Sequence, residues 1–443
     1  MSDTIAAIAT GAGKAGIGIV RISGSMVPAI AGAISGQQLP VRHASYIPFL
    51  DNNGNTLDMG IAILYEAPHS FTGEAVLELQ GHGGSVVLSM LLRRVLELGA
   101  RMARPGEFSE RAFYNNKMDL AQAEAISDLI NSSSESAARA AVRSMSGDFS
   151  LHVNRICHEL IAIRVWLEAA LDFSEEDIDF LAEPELQQRA VGLVGEFDLI
   201  LSRAEQGQRL RDGLSIAIAG VSNAGKSSLL NRLSGQETAI VTEIAGTTRD
   251  ALHTDITLEG LPLHIIDTAG FRDTDDKVEQ IGIARALGEV RQADHVVVLI
   301  DALNPEVPDE LDLQEIATTK VINKCDCVSG EECELLMARY DAAFAISVLT
   351  GEGMDAFLSH LLSIAGHDAT VEGVYSARSR HIDSLRRARA ATIDALARLR
   401  ENQFPELAAE EFRLAQQSLE SITGRFDSED LLGEIFSSFC IGK

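Results

Sequence analysis

The chain has 443 residues, of which 46% are hydrophobic and 5% aromatic, and its formal net charge is −28. This length predicts two to four domains with mainly aliphatic cores. The strong negative charge excludes a protein whose whole surface binds nucleic acid, because the phosphate backbone is itself negative.

Cysteine usage and hydropathy exclude further classes of protein. The five scattered cysteines do not fit a disulfide framework. No apolar run is long enough to cross a bilayer, and the N-terminus lacks the basic region of a signal peptide. We therefore expect a cytoplasmic protein with no membrane association.

The first 118 residues have the composition of a mixed α/β domain. Segments 17–23 (IGIVRIS) and 59–65 (MGIAILY) are apolar and β-branched, which is typical of strands, and residues 85–100 repeat with helical periodicity. This part of the chain contains nine basic and nine acidic residues. The full net charge of −28 therefore lies in residues 119–443.

From residue 119 the composition changes to Ala, Glu, Leu, Arg and Gln, which favours helices. The same composition returns near residue 376, and between the two blocks short apolar strands (LSIAIAG, LHIID, HVVVLID) alternate with helical segments. That alternation predicts a parallel sheet with helices on both faces. The predicted architecture is an α/β domain at 213–370, inserted into a helical domain formed by 119–212 and 371–443, with the α/β domain 1–118 in front.

A phosphate-binding motif follows the first strand of the inserted domain. The segment from Gly220 to Ser227, GVSNAGKS, matches G-x-x-x-x-G-K-[ST] and precedes a helical segment, as the motif requires. Its backbone N–H groups and the helix N-terminus favour phosphate. Lys226 is expected to contact the β- and γ-phosphates, and Ser227 is expected to hold Mg²⁺.

Two later motifs indicate the segments that sense the γ-phosphate. Asp267-Thr-Ala-Gly270 follows the strand LHIID, so Asp267 is expected to meet Mg²⁺ through water and Gly270 to meet the γ-phosphate. Thr247-Thr248 lies earlier, where a threonine should cover the metal. The next residue after Gly270 is Phe271, and a phenyl ring cannot orient the attacking water. Another group must therefore supply that function.

Two further motifs indicate the base. Asn323-Lys324-Cys325-Asp326 follows the strand TKVI, and Asp326 can accept hydrogen bonds from the N1–H and the 2-amino group of guanine, which adenine lacks. Ser347 follows the strand AFAI, where a base-contacting loop is expected. Four motifs in this order, each after its strand, predict a P-loop GTPase that binds GTP and GDP.

These motifs, together with the switch segment EIAGTTRD and the terminal FCIGK, resemble those of the MnmE (TrmE) family of bacterial tRNA modification GTPases. The segments RISG, ELQGHGG and RPGEFSERAFYNNKMDLAQAEAI also match, so the resemblance covers essentially the whole chain. One departure is Ser222, where the family usually has proline. This departure puts the rigidity of the phosphate loop in question.

The resemblance implies a folate-binding, aminomethyltransferase-like N-terminal domain that also mediates homodimerisation. It implies a flavoprotein partner of the MnmG (GidA) type in a heterotetramer or larger assembly, with tRNA bound mostly through that partner. Together the two proteins would add an aminomethyl-type (carboxymethylaminomethyl) group to C5 of wobble uridine 34 in certain tRNAs. The one-carbon unit would come from 5-formyl- or methylene-tetrahydrofolate.

The resemblance also implies the nucleotide-site residues. GTP would contact Asn223, Ala224, Gly225, Lys226, Ser227, Ser228, Thr242, Glu243, Ile244, Ala245, Gly246, Thr247, Thr248, Asp267, Thr268, Ala269, Gly270, Asn323, Lys324, Asp326 and Ser347. Mg²⁺ would be held by Ser227 and Thr248, and a catalytic K⁺ by Asn223, Thr242, Ile244 and Thr247. In place of a glutamine, Glu279 would position the attacking water. The acidic run 273–279 alone favours an ordinary surface carboxylate at Glu279, and Arg249 and Arg272 are the alternative charge donors.

The implied folate ligands are Arg21, Glu78, Lys117 and Lys443. Glu78 suits the adjacent N–H and amino groups of a pterin, and the three cations suit its carbonyl or its glutamate tail. The residues alone favour ordinary roles: Arg21 ends a strand, Glu78 precedes a glycine-rich turn at 81–84, and Lys117 is a solvated charge.

Cys440 keeps two interpretations, one catalytic and one structural. Its thiolate could act as a nucleophile on a pyrimidine ring. Alternatively, the residue packs beside Phe436 and Phe439 at the end of a helix whose apolar spacing predicts a core-facing side.

Two other functions compete with tRNA modification. One is a ribosome-assembly or cell-cycle GTPase switch without modification chemistry, against which the folate-like domain and the CIGK tail argue. The other is a one-carbon transferase with a regulatory G domain, for which the sequence shows no complete catalytic set.

Overall fold

The computed structural model of the chain describes residues 3–11, 13–172, 184–221, 223–235, 253–258, 261–267, 293–307, 316–364, 373–400, 405–424, 429–440 and 442. The chain divides into two compact units. Unit 1 comprises Met1–Ser127, Met145–Val194 and Ser384–Lys443, and unit 2 comprises Asp128–Ser144 and Gly195–Asp383. None of the described helices is long and apolar enough to span a membrane.

A six-stranded sheet forms the N-terminal part of unit 1. Its strands are β1 (Ile5–Ile8), β2 (Ala15–Ser23), β3 (Ser45–Leu50), β4 (Thr56–Tyr65), β5 (Val76–Gly83) and β6 (Arg101–Met102), in the order β3-β4-β5-β2-β1-β6. Every neighbouring pair is antiparallel except β1 and β6. Helices α1 (Val27–Ser35) and α2 (Ser85–Glu97) pack on one face, where Ile30 and Leu91 join the strand residues in an aliphatic core.

Alternation along β5 decides which side chains reach the other face of this sheet. Leu77 and Leu79 are fully buried against the helices, so Glu78 between them points to the opposite face. The turn predicted at 81–84 is wrong, because β5 continues to Gly83. Gly81 and Gly83 pair with residues of β2, and a Cβ at Gly81 would lie 2.5 Å from a carboxylate oxygen of Asp58. Glycine is therefore present here for close packing within the sheet.

Helices follow the sheet, as the composition predicts. They are α3 (Glu107–Tyr114), α4 (Leu120–Ile130), α5 (Glu135–Met145), α6 (Asp148–Asp172) and α7 (Pro184–Asp212). Alanine and leucine dominate their buried positions, for example Ala123, Ala140 and Leu160. Small side chains at these positions allow helices to approach one another closely.

A second six-stranded sheet lies in unit 2. Its strands are β7 (Leu214–Ala219), β8 (His253–Leu258), β9 (Leu261–Asp267), β10 (His295–Asp301), β11 (Thr318–Asn323) and β12 (Phe344–Ala345), in the order β12-β11-β10-β7-β9-β8. Only β8 is antiparallel to its neighbour. Separate aliphatic clusters lie on its two faces, which confirms the predicted sheet with helices on both sides. The described helices are α8 (Lys226–Ser234), α9 (Gly330–Tyr340) and α10 (Met354–Ile364).

The order of the strands places the phosphate loop. Strand β7 lies between β9 and β10: the chain runs from β7 to β8 and β9 on one side and then crosses to β10 on the other, so the strand order reverses direction here. Ligands bind at such a switch point, outside the carboxyl ends of the parallel strands. The GVSNAGKS segment begins at the carboxyl end of β7 and therefore lies at this point.

Three helices complete the chain: α11 (Ser379–Arg400), α12 (Pro405–Thr423) and α13 (Glu429–Ser437). In unit 1, α12 packs along α6, and Arg164 donates a hydrogen bond to the Gln416 side chain at 2.6 Å. The predicted apolar side of α13 is confirmed, since Leu432, Ile435 and Phe436 are buried with Leu120 of α4.

Candidate functional site

The phosphate loop connects β7 to α8 through backbone conformations that favour glycine. Gly225, which precedes α8, has φ 101°, and Asn223 has φ 68°. A Cβ at Gly225 would lie 2.3 Å from the side-chain nitrogen of Asn323. Glycine is therefore required at Gly225 for both its conformation and its close approach. The loop ends at the N-terminus of α8, where free N–H groups point outward and favour an anion.

Lys226 is held under this loop. Its side chain is 8% exposed, and its Nζ donates to the carbonyl oxygens of Gly220 at 2.7 Å and Val221 at 3.0 Å. Ser227 and Ser228 follow in the first turn of α8 and are exposed. The ammonium group is thus already directed to the concave side of the loop, where an incoming phosphate would meet it.

Asn323 connects the phosphate loop to the base-recognition segments. It is 2% exposed, its Nδ2 donates to the carbonyl of Ala224 at 2.8 Å, and its Oδ1 accepts from the Val348 N–H at 3.2 Å. Both hydrogen-bonding groups of this amide are therefore used within the protein. The motif predicted Asn323 as a nucleotide contact, and the structure shows that it also holds two other loops together.

The base-recognition carboxylate is oriented by its neighbour in space. Hydrogen bonding from the Ser347 side chain lowers the pKa of the exposed Asp326 carboxyl below its ordinary value. An oriented carboxylate can accept the two adjacent donors of guanine. The structure therefore brings Asp326 and Ser347 together, although 21 positions separate them in the sequence.

Sequence reasoning missed a second carboxylate in this region. Lys324 has φ 66° and its Nζ lies 2.6 Å from the Asp301 carboxylate. Asp301 ends β10 and is 5% exposed. The ion pair fixes the stem of Lys324 beside the segment that recognises the base. The position of Asp301 at the carboxyl end of a buried parallel strand was the signal that could have found it.

Several predicted site residues lie outside the residues that the structure describes. They are Thr242, Glu243, Ile244, Ala245, Gly246, Thr247, Thr248, Thr268, Ala269, Gly270, Glu279 and Lys443. Asp267 is described as the last residue of β9, at the same carboxyl edge of the sheet as the phosphate loop. Among the described residues, no group of three or more His, Cys, Asp or Glu side chains is arranged to hold a metal ion.

Two of the predicted folate ligands, Arg21 and Glu78, are in contact in unit 1. Arg21 and Glu78 are paired across β2 and β5, and the Arg21 Nε donates to the Glu78 carboxylate at 3.0 Å. The Arg21 guanidinium also lies over the rings of Phe71 and Phe108, at 5.4 Å and 5.9 Å from their centroids. The strand register therefore places the cation beside the carboxylate, and the two aromatic rings pack against the cation from a loop and from α3.

A pocket of about 370 Å³ opens beside this pair. It is lined by Arg42, Tyr65, His69, Ser70, Phe71, Val76, Glu78 and Lys117. Lys117 Nζ donates to the carbonyl of Pro68 at 3.0 Å. Two of the four predicted folate ligands, Glu78 and Lys117, thus line one pocket, and Arg21 is bonded to one of them, Glu78. Phe71 and Tyr65 were not predicted, because aromatic residues in a loop or strand carry no spacing signal.

A network of ion pairs supports this region from the side of α3. Glu107 is 2% exposed and accepts hydrogen bonds from Arg101 at 2.8 Å and from Arg111 at 3.1 Å. Burial alone would raise its pKa, but these bonds and one from the Arg104 N–H outweigh burial and lower the pKa of Glu107 to about 2. Arg111 also pairs with Glu74 at 3.0 Å, so the network ties α3 to the segment that precedes β5.

The C-terminal tail also lies in unit 1. The Gly106 N–H donates to the carbonyl of Cys440 at 3.3 Å, and Phe439 is buried. The Cys440 thiol is free and exposed. Cys440 lies beyond the end of α13 at Ser437, and both interpretations of this residue, as a nucleophile and as a packed residue, stay predictions.

Comparison with known proteins gives matches along the whole chain. A family model of the GTP-binding protein TrmE N-terminus matches residues 4–117, and one of the MnmE helical domain matches residues 120–440. The chain is 51% identical to the tRNA modification GTPase MnmE of Aeromonas salmonicida and 49% identical to that of Vibrio cholerae, with both sequences covered completely. A solved G domain of the FeoB iron transporter of T. maritima is 23% identical and covers 34% of this chain and 98% of its own, with a TM-score of 0.27. Because the two family models and the full-length relatives agree with the phosphate loop and base segments described above, the chain belongs to the MnmE family of tRNA modification GTPases.

Proposed function

We propose that this chain hydrolyses GTP with Mg²⁺ and K⁺ and works with an MnmG-type flavoprotein to modify C5 of wobble uridine 34 in certain tRNAs. The added group is of the aminomethyl type, carboxymethylaminomethyl among them, and its one-carbon unit comes from 5-formyl- or methylene-tetrahydrofolate. The observation that carries the proposal is the coexistence in one chain of a phosphate loop bonded to the base-recognition segment through Asn323 and a pocket beside the Arg21–Glu78 pair.

The folate part of the proposal rests on the chemistry of the pocket. A pterin is planar and presents an N–H and an amino group side by side, which one carboxylate can accept together. Glu78 provides that carboxylate, and the rings of Phe71 and Tyr65 provide apolar walls. Lys117 lines the same pocket and suits the anionic glutamate tail of a folate. Lys443 is proposed as the fourth ligand. When bound, the folate would supply the one-carbon unit.

The metal part of the proposal rests on the phosphate loop. Ser227 lies in the first turn of α8 and is exposed, so its hydroxyl is a suitable ligand for Mg²⁺, and Thr248 is its proposed partner. Asn223 is exposed on the loop with φ 68°, and amide oxygens suit a large monovalent cation. Thr242, Ile244 and Thr247 are proposed to complete the K⁺ site. Phe271 stands where a glutamine would orient the attacking water. When bound, K⁺ would supply positive charge that stabilises the transition state of hydrolysis.

Three further residues have proposed roles in chemistry. Lys226 stabilises charge on the phosphates, and Glu279 positions the attacking water. Cys440 is the candidate nucleophile, and the exposure of its thiol supports access to a substrate. The remaining nucleotide contacts are proposed as the motifs predict.

The assembly is proposed to be a homodimer that joins the flavoprotein as a heterotetramer or larger complex in the cytoplasm. The face of the N-terminal sheet opposite α1 and α2 exposes Tyr46, Met59 and Ile61, with Tyr46 70% exposed. An apolar sheet face of this kind favours contact with a second copy. The net charge of −28 supports tRNA binding mostly through the partner.

We propose three domains along the chain: an N-terminal domain at 1–118, a helical domain formed by 119–212 and 371–443, and the inserted α/β domain at 213–370.

Nucleoside analysis tests the proposed function. Mass spectrometry would quantify C5-modified uridine in tRNA from a strain that lacks this protein, before and after complementation with the wild-type chain. We expect the modification to disappear in the deletion strain and to return with the wild-type chain. Equal modification in both strains would contradict the proposal. A ribosomal-subunit assembly defect with normally modified tRNA would instead indicate a GTPase switch.

A further inference from the structure

Arg232 lies in the last turn of α8, and none of the nucleotide motifs includes it. Its Nη1 donates to two backbone carbonyls after β12, those of Val348 at 2.7 Å and Leu349 at 3.3 Å. Two carbonyls that accept from one guanidinium are held with charge-assisted hydrogen bonds. The last turn of α8, the helix that begins at the phosphate loop, therefore contacts the segment 347–351. We name this segment the base loop.

The base loop is a closed turn that depends on contacts at both sides. Within it, the Gly351 N–H donates to the carbonyl of Ser347 at 2.8 Å. The peptide groups of Val348 are held from opposite directions: Asn323 accepts from its N–H at 3.2 Å, and Arg232 donates to its carbonyl. Removing either contact would leave only one anchor on this part of the backbone.

The base loop is connected to the guanine-recognising carboxylate. The Ser347 hydroxyl accepts from the Thr350 N–H at 3.1 Å, and it lies close enough to the Asp326 carboxyl to lower the pKa of that group. Ser347 is fully buried, so the backbone of the base loop sets the position of its hydroxyl. The direction of the Asp326 carboxylate consequently depends on the position of the loop.

Gly351 provides the space that the guanidinium occupies. It has φ 93°, and a Cβ at this position would lie 2.4 Å from Nη2 of Arg232. A side chain at position 351 would therefore displace the guanidinium from the two carbonyls. Arg232 and Gly351 act as a matched pair, although 119 positions separate them in the sequence.

We propose that Arg232 is a positioning residue for guanine recognition. By fixing the base loop, and through Ser347 the carboxylate of Asp326, it sets the lifetime of bound GDP and GTP and the preference for bases that carry a 2-amino group. This inference concerns the GTPase activity alone and goes beyond the proposed function, since neither folate nor tRNA enters it.

Release of a fluorescent N-methylanthraniloyl GDP from the full chain, followed by stopped flow, tests the inference. We expect Arg232→Ala to accelerate release about tenfold, a loss typical of a charge-assisted hydrogen bond. Arg232→Lys, which keeps one charged donor, should give an intermediate rate. The matched control is Arg339→Ala, because Arg339 lies on α9 of the same unit and its guanidinium packs over Tyr340. This control should release the nucleotide at the wild-type rate.

Two further measurements separate positioning from a general loss of stability. Inosine diphosphate lacks the 2-amino group, so Arg232→Ala should reduce the preference for GDP over inosine diphosphate. In steady-state hydrolysis by the same variant, the KM for GTP should rise by a larger factor than kcat falls. Release rates within twofold of wild type, or an unchanged preference between the two bases, would overturn the proposal.

A double-mutant cycle tests the pairing with Gly351. Gly351→Asn keeps a residue that tolerates positive φ but adds a side chain against the guanidinium. It should accelerate release as Arg232→Ala does, and the double variant should be no faster than either single variant. If the two accelerations multiply instead, Arg232 and Gly351 act independently and the proposed mechanism is wrong.

Discussion

In unit 2, the groups around the nucleotide come from short loops whose residues are consecutive in the sequence, at 220–227, 323–326 and 347–351. In unit 1, Arg21 and Glu78 come from the middles of two strands, and Lys117 comes from a segment after α3. Parallel strands end at one edge and bring the loops together, whereas antiparallel register brings side chains together across a face.

This difference has consequences for how each site responds to mutation. The nucleotide loops use backbone groups and a few connecting side chains such as Asn323, so their geometry survives the loss of most surface side chains. The pocket of unit 1 depends on the side chains themselves, because an antiparallel pair exposes no free backbone groups on its face. We therefore expect changes in unit 2 to alter selectivity and rate, and changes in unit 1 to alter affinity and stability.

The largest expected effect concerns base selectivity. In Asp326→Asn, an amide N–H would face the 2-amino group of guanine, while the same amide could donate to the C2 carbonyl of xanthine. We expect the preference for GDP over xanthosine diphosphate to fall by roughly 100-fold, because a site built for specific donors rejects mismatched ones strongly. Competition against a fluorescent GDP measures this ratio. The control Asp341→Asn, an exposed change in the same unit, should leave the preference for GDP over xanthosine diphosphate at the wild-type value. An unchanged preference in Asp326→Asn would contradict the assignment of Asp326 to guanine recognition.

The second prediction concerns K⁺. If Asn223 contributes an oxygen to a K⁺ site, phosphate release from GTP should be at least about tenfold faster in KCl than in NaCl, since removing one well-placed charge-stabilising group typically costs that much or more. Asn223→Ala should lose most of the stimulation. Asn231→Ala on the exposed side of α8 should keep it. Equal rates of the wild-type chain in the two salts would instead favour Arg249 or Arg272 as the charge donor.

The two regions also differ in how far the sequence predicts them. Phosphate geometry imposes fixed spacing, so GVSNAGKS could be recognised from its residues alone, and the fold class that followed is confirmed. Arg232 and Val348 are 116 positions apart, and Arg21 and Glu78 are 57 apart, so only strand register and helix packing reveal these contacts. The turn predicted at 81–84 was wrong because glycine also serves close sheet packing. Glu279 and the switch threonines stay predictions.

The third prediction concerns the pocket in unit 1. Glu78→Gln would replace a carboxylate that accepts two donors with an amide that accepts one, and it would also weaken the pair with Arg21. We expect the affinity for 5-formyl-tetrahydrofolate to fall about tenfold, as for the loss of a charge-assisted hydrogen bond. Calorimetry measures it, with Glu97→Gln on the exposed side of α2 as the matched control. Equal folate affinity in Glu78→Gln and wild type would remove this site.

The smallest expected effect concerns pH and would show whether unit 1 depends on its side-chain network more than unit 2 does. The pKa of Glu107 is lowered to about 2 in the folded chain from an ordinary value of 4.5. Because the folded-state pKa is lower than the unfolded one, ionised Glu107 contributes its full share of the free energy of unfolding above about pH 4.5. This contribution is lost as the pH falls toward 2. Because its partner Arg101 is 42% exposed and water screens the pair, we expect a contribution of about 1 kcal/mol, below the value that the shift alone implies.

Urea unfolding of the full chain at a series of pH values between 3 and 7 measures this contribution. Glu107→Gln should lower the free energy of unfolding at pH 7 and flatten its fall toward pH 3, whereas Glu110→Gln, which changes the more exposed pair with Arg104 on the same helix, should follow the wild-type curve. If Glu107→Gln and wild type lose stability in parallel between pH 5 and pH 3, the buried network does not govern the acid response, and the contrast between the two units would not extend to their stability.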